Sequence, residues 1–213
     1  MLSRRLLRTT ALGAIAIAAF WALSALAANQ APNFHFDTNV SGWVTSQSVS
    51  PGAHVATFVW DAADPFNDPA SGSVRVTNIQ EQNITTNASI VTCISVTAGD
   101  PFQAAARAFI PAGQARTGSA MVAVMWFSQP GCPHASGIVT VFGTEVTAIG
   151  AWTVTSVANT VPAEAKSVRV ELNVRKTVGA PAGLAALFDD VYYGPPGGFG
   201  MAPRAVTPLL ARD

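Results

Sequence analysis

Val168, Val170, Leu172 and Val174 alternate with Arg169, Glu171, Asn173 and Arg175. That period of two predicts a strand with one buried and one wet face. Apolar, β-branched or aromatic runs recur at Val55 to Trp60, Ser73 to Asn78, Ile90 to Val96, Ala105 to Phe109, Ala120 to Phe127, Ile138 to Phe142, Trp152 to Val157 and Leu187 to Tyr193. Between them lie Pro51-Gly52, Asp68-Pro69, Ala98-Gly99-Asp100-Pro101, Pro111-Ala112-Gly113 and Gln129-Pro130-Gly131, residues that set turn backbones. Gln103 to Ala108 favours helix by intrinsic propensity, but Pro101 and Pro111 bound it too closely, so it reads as a strand. Many short strands, regular turns and no sustained 3.6-residue period predict an all-β, two-sheet sandwich or barrel.

The ends differ from this middle. Arg4, Arg5 and Arg8 precede an uncharged run from Thr9 to Leu23, and small residues stand at Ala25 and Ala27. These are the three regions of a secretory signal peptide spanning residues 1–27, with cleavage after Ala27. The apolar run falls short of the roughly 20 residues a membrane span needs, so no span is expected once the signal is removed. Residues 28–194 form the β-domain. Gly194-Pro195-Pro196-Gly197-Gly198 then breaks the pattern, and residues 195–213 read as a flexible tail.

Beyond residue 27 the chain carries nine basic and twelve acidic residues, a net charge of −3. Nucleic-acid binding needs clustered Lys and Arg, and here Lys166 and Lys176 are the only lysines. Charged residues make up 11% of the chain, against about 25% in ordinary soluble domains. The surface is therefore left to Ser, Thr, Asn and Gln, groups suited to neutral polar ligands such as sugars. Cys93 and Cys132 are the only cysteines. In an exported protein such a pair reads as a disulfide, and with no CxxC the spacing does not favour a metal or redox pair.

Phe188 to Gly194, FDDVYYG, places two adjacent carboxylates on an apolar, aromatic strand. Neighbouring side chains of a strand point to opposite faces, so one of Asp189 and Asp190 is expected to look inward and to need neutralising. Two readings stand. In one, Asp189 or Asp190 helps to hold a hard cation such as calcium, which takes oxygen ligands; in the other, one Asp is solvated and its neighbour accepts backbone hydrogen bonds.

Catalytic patterns find little support. The chain has no GxSxG and no HExxH, and His35, His54 and His134 are scattered along it. A glycosidase needs two carboxyls across a bond; Glu81, Glu145, Glu164 and Glu171 carry no signal beyond being glutamates. A non-catalytic domain is expected. Among the aromatics that could stack on sugar rings, Trp43 and Trp152 read as core, whereas Trp60 and Trp126 end strands beside turn-rich loops.

Asn33-Phe34-His35-Phe36-Asp37, Ser41-Gly42-Trp43, Gly72 to Val76, Gly150-Ala151-Trp152, Pro162 to Leu172 and FDDVYYG follow one another in an order that resembles the carbohydrate-binding modules with a galactose-binding-like jelly-roll fold. The resemblance covers nearly all of the chain after the signal. It implies a two-sheet antiparallel sandwich whose first and last strands lie close together. It also implies a structural calcium there, held by Asp37, Asp189 and backbone carbonyls, with Asp190 as an alternative to Asp189, and a disulfide between Cys93 and Cys132 like that of secreted bacterial members. Modules of this fold bind on the concave sheet face or at the end loops. The first implies Arg169, Glu171 and Asn173 as hydrogen-bonding groups, the second Trp60 and Trp126 as platforms.

The expectation is a secreted or periplasmic domain that binds a neutral glycan. The alternative is an extracellular structural or adhesive sandwich without a sugar site.

Overall fold

The computed structural model describes residues 29–50, 53, 55–80, 85–115, 117–177 and 183–200. The signal-peptide expectation and residues 201–213 of the expected tail lie outside them. Among the described residues there are ten strands: β1 (Val44–Thr45), β2 (Ala56–Asp61), β3 (Ser73–Asn78), β4 (Thr86–Ser95), β5 (Pro101–Phe109), β6 (Gly118–Phe127), β7 (Gly137–Phe142), β8 (Thr153–Thr160), β9 (Ser167–Lys176) and β10 (Leu184–Gly194). A single helical turn, α1 (Ser46–Val49), follows β1. The strands form two five-stranded antiparallel sheets, sheet I in the order β1-β4-β9-β6-β7 and sheet II in the order β2-β3-β10-β5-β8. Among the described residues no helix is long and apolar enough to cross a membrane.

The expected two-sheet sandwich is therefore the observed one. Its interior is built from alternate residues of facing strands, with Val168, Val170, Leu172 and Val174 of β9 set against Val74, Val76, Ala104, Ala106 and Phe188 from sheet II. Phe102 packs edge-on to Trp126, with ring centroids 4.9 Å apart, and stacks on Tyr193 at 5.8 Å. The helix-prone Gln103 to Ala108 is strand, because Ala104, Ala105, Ala106 and Ala108 are fully buried where β5 runs between β10 and β8. Small side chains fit a crowded central strand, and tertiary packing outweighs the weak local preference.

β9 departs from its sequence pattern in one respect. It is the middle strand of sheet I, and Arg169, Glu171 and Asn173, expected on a wet face, are only 5%, 8% and 3% exposed. Both of its faces are buried. The opening segment runs beside the closing strand, as expected: Gln30 N donates to Tyr193 O at 2.8 Å and Val191 N to Phe34 O at 2.9 Å, and the Asn29 side chain bonds Val191 O and Tyr193 N.

Cys93 and Cys132 are joined in a disulfide, with their Cα atoms 6.1 Å apart. The bond ties β4 to the loop after β6 and closes 39 residues, worth about 4 kcal/mol in the chain-entropy model. Residues 195–200 turn back onto sheet II. Gly197 N donates to the Gln103 side chain, the Tyr192 hydroxyl donates to Pro195 O, and Phe199 meets the Tyr192 ring edge-on.

Candidate functional site

Asp189 and Asp190 do not obey simple strand alternation. Asp189 pairs with Arg107 of β5 but Tyr192 pairs with Ala105, so β10 has one residue too many across this step. The surplus is taken up by Asp190 in the left-handed region, φ 49°. This is a β-bulge, and bulges re-aim side chains. Both carboxylates consequently converge with the imidazole of His35, the three offering ligand atoms within 4.8 Å of one another. Asp190 Oδ1 stands 2.8 Å from His35 Nδ1, while Asp190 Oδ2 accepts from Arg107 Nε at 2.9 Å. The guanidinium is covered by the Phe66 ring, 4.7 Å away, and by Phe199 at 5.9 Å.

Asp37, the early acid expected at this corner, is exposed and outside the cluster. The sequence around it alternates aromatic and polar residues, and His35, between Phe34 and Phe36, is the residue that reaches Asp190. Calcium takes six to eight oxygen ligands. The side chains gathered here are one imidazole and two carboxylates, of which Asp190 is already paired to a guanidinium. The expected pairing of Asp37 with Asp189 is not assembled in this cluster, where His35 stands instead.

β10 continues into Tyr192 and Tyr193. Burial raises the pKa of both hydroxyls, and the Asp100 charge adds to the effect on Tyr193.

The outer face of sheet I presents a second polar array. Residues paired across antiparallel strands share a face, so Arg169 lies with Cys93 and Met125, Glu171 with Val91 and Ala123, Asn173 with Ser89 and Met121, and Arg175 with Asn87 and Ser119. Arg169 donates to Glu171 Oε1 at 3.0 Å and to Ser50 Oγ at 2.6 Å, with its guanidinium 5.3 Å from the centre of the Phe127 ring. Ser89 Oγ reaches Glu171 Oε2 at 3.4 Å. Further along the strand the pairing stops. Asn173 Oδ1, Asn87 Oδ1 and Ser119 Oγ are buried with no hydrogen-bond partner, an uncommon state for buried polar atoms.

The two expected tryptophan platforms separate. Trp126 is 1% exposed and lies in the core against Phe102; its position in β6 has the parity of Val122 and Val124, which face inward. It is not a platform. Trp60, on the edge strand β2, is 40% exposed, and its indole N–H donates to Phe36 O at 2.6 Å. The ring lies over Gly72, where a Cβ would come within 2.6 Å of it. Trp43 is core, as expected, and Trp152 is half-buried against Phe109. His134 is exposed, and His54 lies outside the described residues.

A cavity of about 450 Å³ opens at the end of the sandwich, lined among others by Ile110, Gln114, Ser119, Glu145, Ile149 and Arg175. A smaller one of about 200 Å³ lies over the Asp190 corner.

No protein-family model matches this chain, and no curated protein matches it. Solved structures match it in fold. The enzymatically active domain of tailspike protein 4 from bacteriophage CBA120 is 17% identical with a TM-score of 0.53, over 78% of this chain and 21% of that one. The CBM22-1–GH10 modules of Clostridium thermocellum xylanase 10B, complexed with xylohexaose, are 13% identical with a TM-score of 0.54, over 76% of this chain and 28% of that one. This chain thus spans less than a third of either. The C-terminal family 22 carbohydrate-binding module of the same xylanase is 13% identical with a TM-score of 0.51, over 77% of this chain and 91% of that one. What these likenesses share is the fold, the two-sheet β-sandwich of carbohydrate-binding modules.

Proposed function

We propose that this protein is an exported, non-catalytic domain that binds a neutral glycan on the outer face of sheet I. One observation carries the reading: Asn173 Oδ1 and Asn87 Oδ1 are buried acceptors without donors, beside the hydrogen-bonded Arg169–Glu171 pair. Buried acceptors left without donors lower stability, and a ligand rich in hydroxyl groups supplies the missing donors. The shared fold with a xylanase module supports the ligand class and makes xylohexaose the first probe. Arg169, Glu171 and Asn173 are the binding groups in this reading, and Trp60 is not. Calcium forms no part of it.

The test is affinity electrophoresis and calorimetry on xylohexaose and a panel of neutral plant and bacterial polysaccharides. Asn173→Ala is expected to weaken binding about tenfold, the worth of one good hydrogen bond of roughly 1.4 kcal/mol, with Trp60→Ala unchanged. Absence of binding to every glycan removes the reading. The second reading, an adhesive or structural domain, is favoured by Ile138, Val139 and Phe142, exposed on the edge strand β7, because uncharged sheet edges pair readily with other chains.

A further inference from the structure

The cavity at the end of the sandwich differs from the sheet face in its chemistry. At its mouth Arg175 and Glu145 are in direct contact, with 42% and 43% of their side chains exposed. The contact uses one guanidinium nitrogen, Nη1, and one carboxylate oxygen, Oε1. Two donor nitrogens, Nε and Nη2, and one acceptor, Oε2, are not used by this contact. Beside them Ser119, 2% exposed, has a hydroxyl that bonds to nothing, and its strand pairing with Arg175 puts both side chains on one face. The hydroxyls of Thr117 and Thr177, also in the lining, are engaged with each other, and the Gln114 amide is consumed by Pro111 O and the Ala185 backbone. The wall is aliphatic, with Ile110, Pro111 and Ile149, of which Ile149 is 61% exposed.

We propose that this cavity binds a free α-amino acid with an aliphatic side chain. An α-amino acid carries its ammonium and carboxylate on one carbon, as close together as the two charges of the Arg175–Glu145 pair. The two dipoles match side by side and antiparallel. The ligand carboxylate takes the remaining guanidinium donors, an arrangement that planar carboxylates favour, and Ser119 Oγ donates to the same carboxylate. The ligand ammonium takes Glu145 Oε2. The aliphatic side chain then packs on Ile110, Pro111 and Ile149. No net charge is introduced on either side, and a volume of about 450 Å³ lies within the range of small-molecule sites. This site adjoins the proposed glycan face, because Arg175 pairs with Asn87 as well as with Ser119, but the groups that would hold the amino acid, Arg175, Glu145 and Ser119, are not those assigned to the glycan.

Chemical-shift titration of the ¹⁵N-labelled protein with L-leucine tests the proposal. The amides of Ser119, Glu145, Ile149 and Arg175 are expected to shift and saturate at millimolar ligand. N-acetyl-leucine, without the ammonium, and leucinamide, without the carboxylate, are expected to bind at least about tenfold more weakly. Arg175→Gln and Glu145→Gln, exposed positions that leave the core intact, should each abolish saturation, while Trp60→Ala, on the edge of the other sheet, leaves it unchanged. Three results overturn the proposal: no saturable shift at about 20 mM leucine, equal binding of N-acetyl-leucine, or the same amides responding to glucose or xylose and not to leucine. The last result assigns the cavity to sugars.

Discussion

Asp190 and Glu171 are both carboxylates with 8% of their surface exposed, and the chain neutralises them differently. Asp190 draws its partners from afar: His35 from the opening segment and Arg107 from β5, brought to it by a bulge. Glu171 takes Arg169 from two residues away on its own strand, and amide oxygens beside the pair stay without donors. Long-range pairing at the corner fixes one end of the fold, because each partner belongs to a different element. On the sheet face the central pair lies within one strand, with Ser50 and Ser89 as added partners, and the acceptors of Asn173 and Asn87 beside it stay without donors. In the function proposed here the corner is architecture and the face takes the ligand.

The largest effect that separates the two regions comes from the corner. Asp190→Ala takes from the part-buried Arg107 the carboxylate it donates to, and losing a hydrogen bond between charged groups in this way costs about 1.5–3 kcal/mol. Urea unfolding is expected to show a loss of that order. Addition of a chelator to the wild-type protein is expected to leave its melting temperature unchanged. A marked fall on chelation would mean that a cation, and not Arg107, balances the corner.

A middle-sized effect follows from the two tyrosines next along β10. Burial raises the pKa of Tyr193 above its ordinary value of 10, so the folded protein keeps it neutral where the unfolded chain ionises it. The unfolded state therefore binds fewer protons in alkali. Stability is fully present below pH 10 and falls as pH rises above it, by up to about 1.4 kcal/mol per pH unit for one such group. Tyr193→Phe should flatten this alkaline limb in denaturant titrations taken between pH 9 and 11. An unchanged slope would show that this end of β10 is wet.

The smallest effect belongs to the sheet face. Asn173→Ala forfeits no hydrogen bond at Oδ1, so its unfolding free energy is expected to move by less than about 1 kcal/mol, even while glycan binding weakens. A large loss of stability would identify Asn173 as a structural residue and make the face resemble the corner.

Nine of the ten strands are legible in the linear pattern, because period-two alternation and Gly/Pro turns are local properties. The missed strand, Val44–Thr45, is two residues long and carries no period. The corner was legible only in part. FDDVYYG announces buried carboxylates, but the alternation rule puts them on opposite faces, and only the bulge at Asp190 brings them together. The choice of His35 over Asp37 follows from the turn through Asn33 and Phe36, both with positive φ, which local sequence does not announce. Trp126 was misplaced for a related reason: the end of a strand can still face the core, and parity with Val122 and Val124 was the signal that the nearby loop obscured.

By itself the sequence determined the strands, their turns and the class of fold, since each depends on neighbours a few residues away. It also held the two cysteines whose pairing now closes a loop of 39 residues. Tertiary structure alone decided which polar residues were enclosed. Arg169, Glu171 and Asn173 have the spacing of a wet strand face, and they are buried because β9 became the centre of its sheet. Burial is a property of what lies around a residue in space, and strand order is set by contacts between segments far apart in the chain.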